Sequence, residues 1–152
     1  MTIDYLVSSL PSLAFGAPAP MSWEKFVETA GEGLVLRSLG EGGWDDLETQ
    51  LRNAVAEARN GDSRRHPAKG CSLFWKNRVL ACFQEKDVLK RDELLDRVWW
   101  DAAGELTPPS APLGSGALAT YAIRLKIALK RSKIATEAGN AAFDRLTAET
   151  KR

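Results

Sequence analysis

The sequence predicts an all-α protein, a bundle of about five to seven helices. Apolar residues recur at three- and four-residue spacing in several windows, the pattern of helices that bury one face. Clusters of glycine and proline separate these windows, and no pair of segments shows hairpin chemistry. The chain has 152 residues, enough to bury a core, so we expect one helical domain over residues 1–152.

The first part of the chain, residues 1–21, is predicted to be an extended N-terminal segment. Residues 3–9 suit either a short strand or one helical turn, and Pro11 ends that element. Two further prolines favour an extended connector over residues 11–21.

Three helices are predicted in the next 40 residues. A serine N-cap precedes the first, Trp23–Ala30. The second is short, residues 34–39, and ends in a glycine cluster. The third begins at an N-cap, Asp45 or Asp46, and runs to about Asn60.

The middle of the chain is predicted to hold a polar basic loop, residues 61–70, and two more helices. The first of these begins near Ser72, and the second runs from Val88 to about Leu106. The side chains expected to point inward from them are Phe74, Val79, Leu80, Phe83, Leu94, Leu95, Val98, Trp99 and Ala102.

A loop rich in proline and glycine, residues 107–116, precedes the last predicted element. Gly139 and Asn140 interrupt the helical pattern that follows. Residues 117–150 are therefore predicted to form a C-terminal helical hairpin or a long kinked helix.

This last element has two apolar stripes, whereas a surface helix needs only one. The first stripe contains Leu118, Tyr121, Leu125 and Leu129, and the second contains Ile123, Ile127 and Ile134. Either both stripes are buried within the bundle, or one of them contacts a partner. We expect the isoleucines to be covered within the chain by Leu6, Leu10 and Phe15.

A possible partner interface combines the isoleucine stripe, the lysines beside it and two tryptophans. Adjacent helical residues point about 100° apart, so Trp100 cannot share the core face of Trp99, nor Trp75 that of Phe74. Aromatic side chains off the core face are enriched at interfaces. The candidate interface residues are Trp75, Trp100, Ile123, Ile127, Ile134, Lys126, Lys130 and Lys133.

Composition argues against several classes of function. The net charge is +1, too small for a general polyanion binder, although residues 1–60 carry 9 acids and 4 bases while residues 118–152 carry 3 and 8. Two cysteines and one histidine provide neither a disulfide framework nor a metal site. No apolar run approaches the length of a membrane span. We expect a cytoplasmic protein without a cofactor.

The sequence also lacks a recognisable catalytic motif. No phosphate-binding loop, dinucleotide motif or nucleophile elbow occurs. His66 lies among Arg64, Arg65 and Lys69, a group that could hold a phosphate but more simply forms a solvated loop. We therefore expect a protein that is not an enzyme and has no small-molecule substrate.

Four segments together resemble a bacterial family that is encoded with V/A-type rotary ATPases. These segments read YLVSSLP, PMSWEKF, LKRDELLDRVWWDAAGEL and, at the end of the chain, ALATYAIRLKIALKRSK followed by GNAAFDRL. The family resembles the C subunit of these ATPases, which is the d subunit in eukaryotes. The residues that match its pattern are Tyr5, Leu6, Val7, Leu10, Pro11, Ser22, Trp23, Glu24, Phe26, Asp96, Arg97, Trp99, Leu118, Tyr121, Leu125 and Phe143.

This resemblance implies a non-catalytic coupling subunit that joins the central stalk to the membrane ring in an ion-transporting V-type ATPase. Its partners would be central-stalk and membrane-ring subunits, and it would lie at the inner membrane only through them. Two other hypotheses remain open. One is a free-standing helical adaptor that binds protein through its off-core aromatics, and the other is a nucleic-acid-binding helical domain that uses the basic loop and the basic C-terminal third.

Overall fold

The computed structural model describes residues 2–60, 70 and 72–150, and over these residues the protein forms seven α-helices and no strand. The prediction of an all-α bundle with a long C-terminal helix is confirmed. The helices are α1 (Ile3–Ser9), α2 (Trp23–Ala30), α3 (Glu32–Gly42), α4 (Trp44–Asn60), α5 (Leu73–Cys82), α6 (Val88–Ala103) and α7 (Ser115–Thr150). A 3-10 turn, Gly104–Leu106, follows α6 directly.

The first half of α7 is the centre of the bundle, because both of its apolar stripes are buried. On one side Leu118 and Leu125 pack with Leu6, Phe26 and Val35 from α1, α2 and α3. On the other side lies a larger cluster from α4, α5 and α6, which contains Trp44, Leu51, Trp75, Val79, Val98, Trp100, Ile123 and Ile127. Helices α1–α3 and α4–α6 thus cover opposite sides of one helix.

The predicted intramolecular cover of the isoleucines is confirmed, but other elements provide most of it. Ile123 and Ile127 are 7% and 8% exposed, and α4–α6 cover them. Phe15 packs against that cluster as predicted. Leu6 and Leu10 lie instead against the Leu118 stripe, because α1 packs on that side of α7.

The N-terminal segment is not extended throughout, because residues 3–9 form α1. The Thr2 side chain caps this helix by accepting a hydrogen bond from the Tyr5 N–H at 3.3 Å. The predicted connector is non-helical and leads to α2, where the Ser22 hydroxyl accepts from the Lys25 N–H at 3.1 Å.

Two glycines have conformational or packing roles at helix ends. Gly43 has a positive φ of 75°, the left-handed conformation that ends α3 and allows α4 to follow at once. Gly116 lies in the first turn of α7, where a Cβ atom would collide with the Leu106 carbonyl oxygen. A glycine at position 116 therefore lets α7 pack against the turn that follows α6.

Helix α7 continues through Gly139 and Asn140, so the hairpin alternative is wrong. A glycine within a helix costs only about 1 kcal/mol relative to alanine. No proline follows Gly116, and alanine-rich neighbours favour the helix. These residues therefore do not interrupt it.

On α5 the prediction is wrong at Phe74, whereas Val79 is buried as predicted. Phe74 is 63% exposed, whereas its neighbour Trp75 is 5% exposed. On α6, Leu94 is likewise 44% exposed and Trp99 only half-buried, whereas Trp100 is buried. Periodicity alone does not decide which of two adjacent aromatic residues is buried, and Phe74 with Trp75 and Trp99 with Trp100 are two such pairs.

The predicted start of α5 is correct, since the Ser72 hydroxyl accepts from the Trp75 N–H at 3.4 Å. Of the basic loop predicted over residues 61–70, all but Gly70 lies outside the described residues, as does Cys71. In the part of the chain that the structure describes, no helix has both the length and the apolar character of a membrane span.

Candidate interaction surface

The two tryptophans predicted at a partner interface are both buried within the chain. The Trp75 indole N–H donates to Glu105 Oε1 at 2.7 Å, and the Trp75 ring is 5% exposed. The Trp100 ring meets Phe15 edge-on at 5.6 Å between centroids. The guanidinium of Arg124 lies over Trp100 and its Nε donates to the Trp100 carbonyl at 3.0 Å. These contacts make both tryptophans core residues, so neither offers its ring to a partner.

The remaining predicted interface residues are divided between the core and the surface. Ile123 and Ile127 are buried, and Ile134 is half-buried. Lys133 is exposed. Lys126 is also exposed, and its ammonium lies 4.6 Å from the centre of the Trp23 ring.

Lys130 belongs to a cluster of four charges that joins α6 to α7. Its ammonium lies 2.8 Å from Asp96 Oδ1 and 3.3 Å from Asp92 Oδ1. Arg131 Nη1 lies 3.0 Å from Asp92 Oδ2 and 3.2 Å from Asp96 Oδ2. Each cation contacts both carboxylates, so the α6–α7 charge cluster (Asp92, Asp96, Lys130 and Arg131) holds the two helices in one register.

Partial burial strengthens this cluster. The Asp96 side chain is 12% exposed and that of Arg131 19% exposed, so solvent screens this pair less than a surface pair. Burial lowers the pKa of Lys130, but the hydrogen bonds and negative charges of Asp96 and Asp92 outweigh that effect and raise it. Lys130 is therefore held in its charged form, in contact with both aspartates.

A shallow groove of about 340 Å³ lies beside the cluster, between α6 and α7. Its apolar lining is Leu95, Trp99 and Ile127. Its charged lining is Lys126 and three members of the cluster, Asp92, Asp96 and Lys130. This groove is the place where three of the predicted interface residues meet. The Lys130 ammonium forms ion pairs with Asp92 and Asp96 on α6, so this cation already has partners within the chain.

The second half of α7 extends away from the helices that cover the first half. The connector is joined to α7 by a hydrogen bond from the Ala19 N–H to Ser132 Oγ at 3.0 Å. Next to it is a cavity of about 210 Å³, lined by residues 16–18 and, on α7, by residues up to Thr136. The free end of α7, residues 137–149, then continues for about 20 Å at 1.5 Å per residue.

Large apolar side chains are exposed on this free end. Phe143 is 68% exposed and Leu146 is 63% exposed. They are three residues apart and therefore lie on the same side of the helix. The sequence analysis placed both residues after the predicted interruption at Gly139 and Asn140, but it did not indicate that the helix would extend beyond the bundle.

No cluster of three or more His, Cys, Asp or Glu side chains suited to a metal ion occurs among the described residues. Cys82 is buried, and its thiol lies 3.2 Å from the Arg78 carbonyl oxygen, to which it donates. Burial raises the pKa of this thiol against the opposing effect of the Arg78 charge. A raised pKa favours the thiol form over the nucleophilic thiolate.

Comparisons of the chain with protein-family models, with curated proteins and with solved structures found no match. The fold and its surface define a helical bundle with one projecting, amphipathic helical end. Exposed apolar groups on such a helix are typical of surfaces that bind other proteins.

Proposed function

We propose that this protein is a non-catalytic structural or coupling subunit of a bacterial V/A-type rotary ATPase, and that it joins the central stalk to the membrane ring. The observation that carries the proposal is the extension of α7, a central core helix, for about 20 Å beyond the bundle. A coupling subunit has to bind a neighbouring subunit at one end and transmit force from that end to the rest of its own fold. A single continuous helix suits that task.

The attachment of α7 to the bundle supports this role. Leu118 and Leu125 on one side and Ile123 on the other are all buried. The α6–α7 charge cluster then ties the helix down just before its free end. Because the base of the helix is packed on both sides and ion-paired, a force on the free end would move the bundle as one body.

The link to an ATPase rests on the resemblance of the sequence, and the structure brings its separate motifs into contact. Tyr121 of the closing motif donates its hydroxyl hydrogen bond to the carbonyl of Pro11 in the opening motif, at 2.8 Å. Asp96 of the middle motif pairs with Lys130 of the closing motif. These contacts support the view that the motifs belong to one structural unit.

The partners we propose are proteins, namely central-stalk and membrane-ring subunits, with the chain cytoplasmic and at the inner membrane only through them. Nucleic acid is a poorer candidate. Lys130 and Arg131, in the basic third of the chain, are neutralised by Asp92 and Asp96. Cations held in this way are less able to bind phosphates.

The test is co-purification of the full chain, tagged at its own locus and extracted in mild detergent. We expect central-stalk and membrane-ring subunits in fixed ratio to the tagged chain, and no ATP hydrolysis by the chain alone. A tagged cytoplasmic protein of similar abundance is the control. Absence of ATPase subunits from the purified complex would refute the proposal.

A free-standing helical adaptor is the second candidate. The exposed Phe143 and Leu146 favour it as much as they favour an ATPase subunit, whereas the buried Trp75 and Trp100 cannot provide its interface. The same experiment separates the two. An adaptor would bring down a different protein in fixed ratio and leave the ATPase subunits behind.

A further inference from the structure

A cavity of about 330 Å³ lies where the connector and the loop before α7 meet the first part of α7. On α7 it is lined by four residues of one helix face, Ala117, Thr120, Tyr121 and Arg124. The other walls are formed by Val7, Leu10, Pro11, Ser12, Leu13, Thr107 and Pro112. Among the described residues that line this cavity, Arg124 alone carries a charge. We call it the Arg124 cavity.

The Arg124 guanidinium is held in place by the end of α6. Its Nε donates to the Trp100 carbonyl at 3.0 Å, and its Cζ lies over the Trp100 ring, 5.3 Å from the ring centre. Its Nη2 lies next to Gly104, where an added Cβ atom would be only 2.9 Å away. These contacts position the guanidinium before a ligand arrives, which reduces the entropic cost of binding.

The charge of Arg124 has no carboxylate in ion-pair contact among the described residues. Arg78 and Arg131 are also partly buried, but each forms ion pairs with aspartate. Burial lowers the pKa of Arg124, Asp101 opposes this effect, and the Arg97 charge adds to it. The carbonyl end of α6 offsets only about half a charge. An anion beside Arg124 would therefore be stabilised, because it supplies a missing counter-charge.

Two hydroxyl groups in the lining offer acceptors to a ligand. The Thr120 hydroxyl donates to the Ala103 carbonyl at 2.8 Å, so in its 2.6 Å contact with Thr107 the donor is Thr107. The Tyr121 hydroxyl donates to the Pro11 carbonyl at 2.8 Å. Both hydrogens are thus in use, whereas the oxygens of Thr107 and Tyr121 keep free lone pairs. A ligand with an N–H or O–H group can donate to either oxygen.

We infer that the Arg124 cavity binds a small carboxylic acid that has an aliphatic body and an N–H or O–H donor beside its carboxylate. The Nη groups of Arg124 pair with the carboxylate. The aliphatic body lies against Leu10 and Leu13, and the donor bonds to the oxygen of Thr107 or Tyr121. N-acyl amino acids and aliphatic 2-hydroxy acids have all three features. This inference goes beyond the proposed function and holds whether or not the chain belongs to an ATPase.

Inorganic phosphate and a protein C-terminus fit the cavity less well. Phosphate has no apolar part, so the aliphatic walls would take its remaining oxygens out of water without partners. The C-terminus of a polypeptide has the right chemistry but a larger body. Small-molecule sites usually hold about 300–1,000 Å³, and the Arg124 cavity lies at the lower end of that range.

The first test is an NMR titration of the purified full chain at low salt with N-acetylleucine. We expect saturable shifts of the backbone amides of Ala117, Thr120 and Tyr121. N-acetylleucinamide, which lacks the charge, should bind at least about tenfold more weakly. Acetate and inorganic phosphate, which lack the aliphatic body, should also bind more weakly.

Several results of this titration would overturn the inference. These are equal affinity for the acid and its amide, shifts confined to other parts of the chain, and no saturable shift. A fourth is tighter binding of phosphate, or of a tetrapeptide with a free C-terminal leucine, than of N-acetylleucine. The acid and its amide are compared on the wild-type chain, so this comparison does not depend on whether a variant folds.

The second test compares variants in the same titration. Arg124→Gln should weaken binding of N-acetylleucine at least about tenfold. Pro112 is exposed, so Pro112→Asp should fold like wild type and weaken binding several-fold by repelling the carboxylate. The control Leu89→Asp adds the same charge at an exposed leucine of α6 outside the cavity and should bind like wild type.

Thermal melting checks the fold of each variant. If Arg124→Gln does not fold, Pro112→Asp against Leu89→Asp still decides the matter. Wild-type affinity in Pro112→Asp, or an equal loss in Pro112→Asp and Leu89→Asp, would overturn the assignment of the ligand to this cavity. Wild-type affinity in a folded Arg124→Gln variant would overturn the role of the guanidinium and with it the inference.

Discussion

Asp96 on α6 and Lys130 on α7 lie 2.8 Å apart, carboxylate oxygen to ammonium nitrogen, where α7 leaves the bundle. Arg131 contacts the same carboxylate at 3.2 Å, and Asp92 joins both cations from one helical turn away. This pairing fixes the base of the free end, so its loss has consequences for both stability and the rigidity of α7.

Replacing Asp96 by asparagine should reduce the free energy of unfolding by about 1–3 kcal/mol. The substitution keeps the shape of the side chain but leaves two partly buried cations with one carboxylate. Urea denaturation provides the measurement. Glu48→Gln is the control, because Glu48 pairs at 3.0 Å with Arg52, whose side chain is 70% exposed. This control substitution should lower the free energy of unfolding by less than about 0.5 kcal/mol. Equal losses in the two variants would contradict this account of the cluster.

Alkaline pH should destabilise the protein. Burial raises the pKa of Cys82 and of Tyr121 above their ordinary values of 9.0 and 10.0, and the aspartates raise that of Lys130 above 10.5 despite burial. Each group holds its proton more tightly when folded, so its stabilising contribution is complete below the ordinary value and is lost as pH rises through the folded value.

The measurement is the free energy of unfolding in urea at about pH 7.5 and about pH 10.5. We expect a lower value at the higher pH. Tyr121→Phe removes one titrating group and should show a smaller difference between the two pH values. A wild-type stability that stays constant or increases over this range would show that these groups do not titrate as described.

Substituting Ile127 by aspartate should lower the free energy of unfolding by several kcal/mol. The reason is that the new carboxylate lies without an ion-pair partner in the core that α7 forms with α4–α6. Ile134→Asp lies on the same stripe at a half-buried position and should cost clearly less. Thermal melting compares them directly. If Ile127→Asp melts like wild type, the isoleucine stripe is not part of the core.

Two hydroxyl groups should respond in opposite ways to removal. Over the described residues, Ser38 Oγ is buried without a hydrogen-bond partner. Ser38→Ala should therefore be neutral or stabilising by up to about 1 kcal/mol. The Thr120 hydroxyl donates to the Ala103 carbonyl at 2.8 Å and lies 2.6 Å from Thr107 Oγ1.

Thr120→Ala should accordingly lower the free energy of unfolding by about 1–2 kcal/mol, because the Ala103 carbonyl loses the hydrogen bond that the Thr120 hydroxyl donates. Ser38→Ala removes a hydroxyl group alone, whereas Thr120→Ala removes a hydroxyl and a methyl group, so part of the loss at Thr120 comes from packing. A loss in Ser38→Ala as large as that in Thr120→Ala would show that Ser38 has a partner.

The helices could be predicted because their signals are local. Ser22 and Ser72 are caps that act within three residues, and the 3.6-residue period showed the two stripes of α7. Which elements cover each stripe depends on packing between distant segments. The prediction that Leu6 and Leu10 cover the isoleucines was wrong for that reason, since nothing local distinguishes the two sides of α7.

The candidate surface was harder to predict than the fold. Periodicity fixes a residue's angle on its helix, but the orientation of the whole helix decides whether Trp75 or Phe74 is buried. Asp92 and Asp96 lie one turn apart on α6, and Lys130 and Arg131 are adjacent on α7, so complementary charges were visible in the sequence. Their pairing required the relative position of two helices. The exposure of Phe143 required knowing where the bundle ends.

The most direct test of the coupling role is the ion gradient formed per ATP hydrolysed by inverted membrane vesicles. Vesicles come from a deletion strain complemented with wild type, Leu89→Asp or Phe143→Asp. We expect the ratio to fall in the deletion strain, to be restored by wild type and by Leu89→Asp, and to remain low with Phe143→Asp. A deletion strain with the same ratio as wild type would contradict the coupling role.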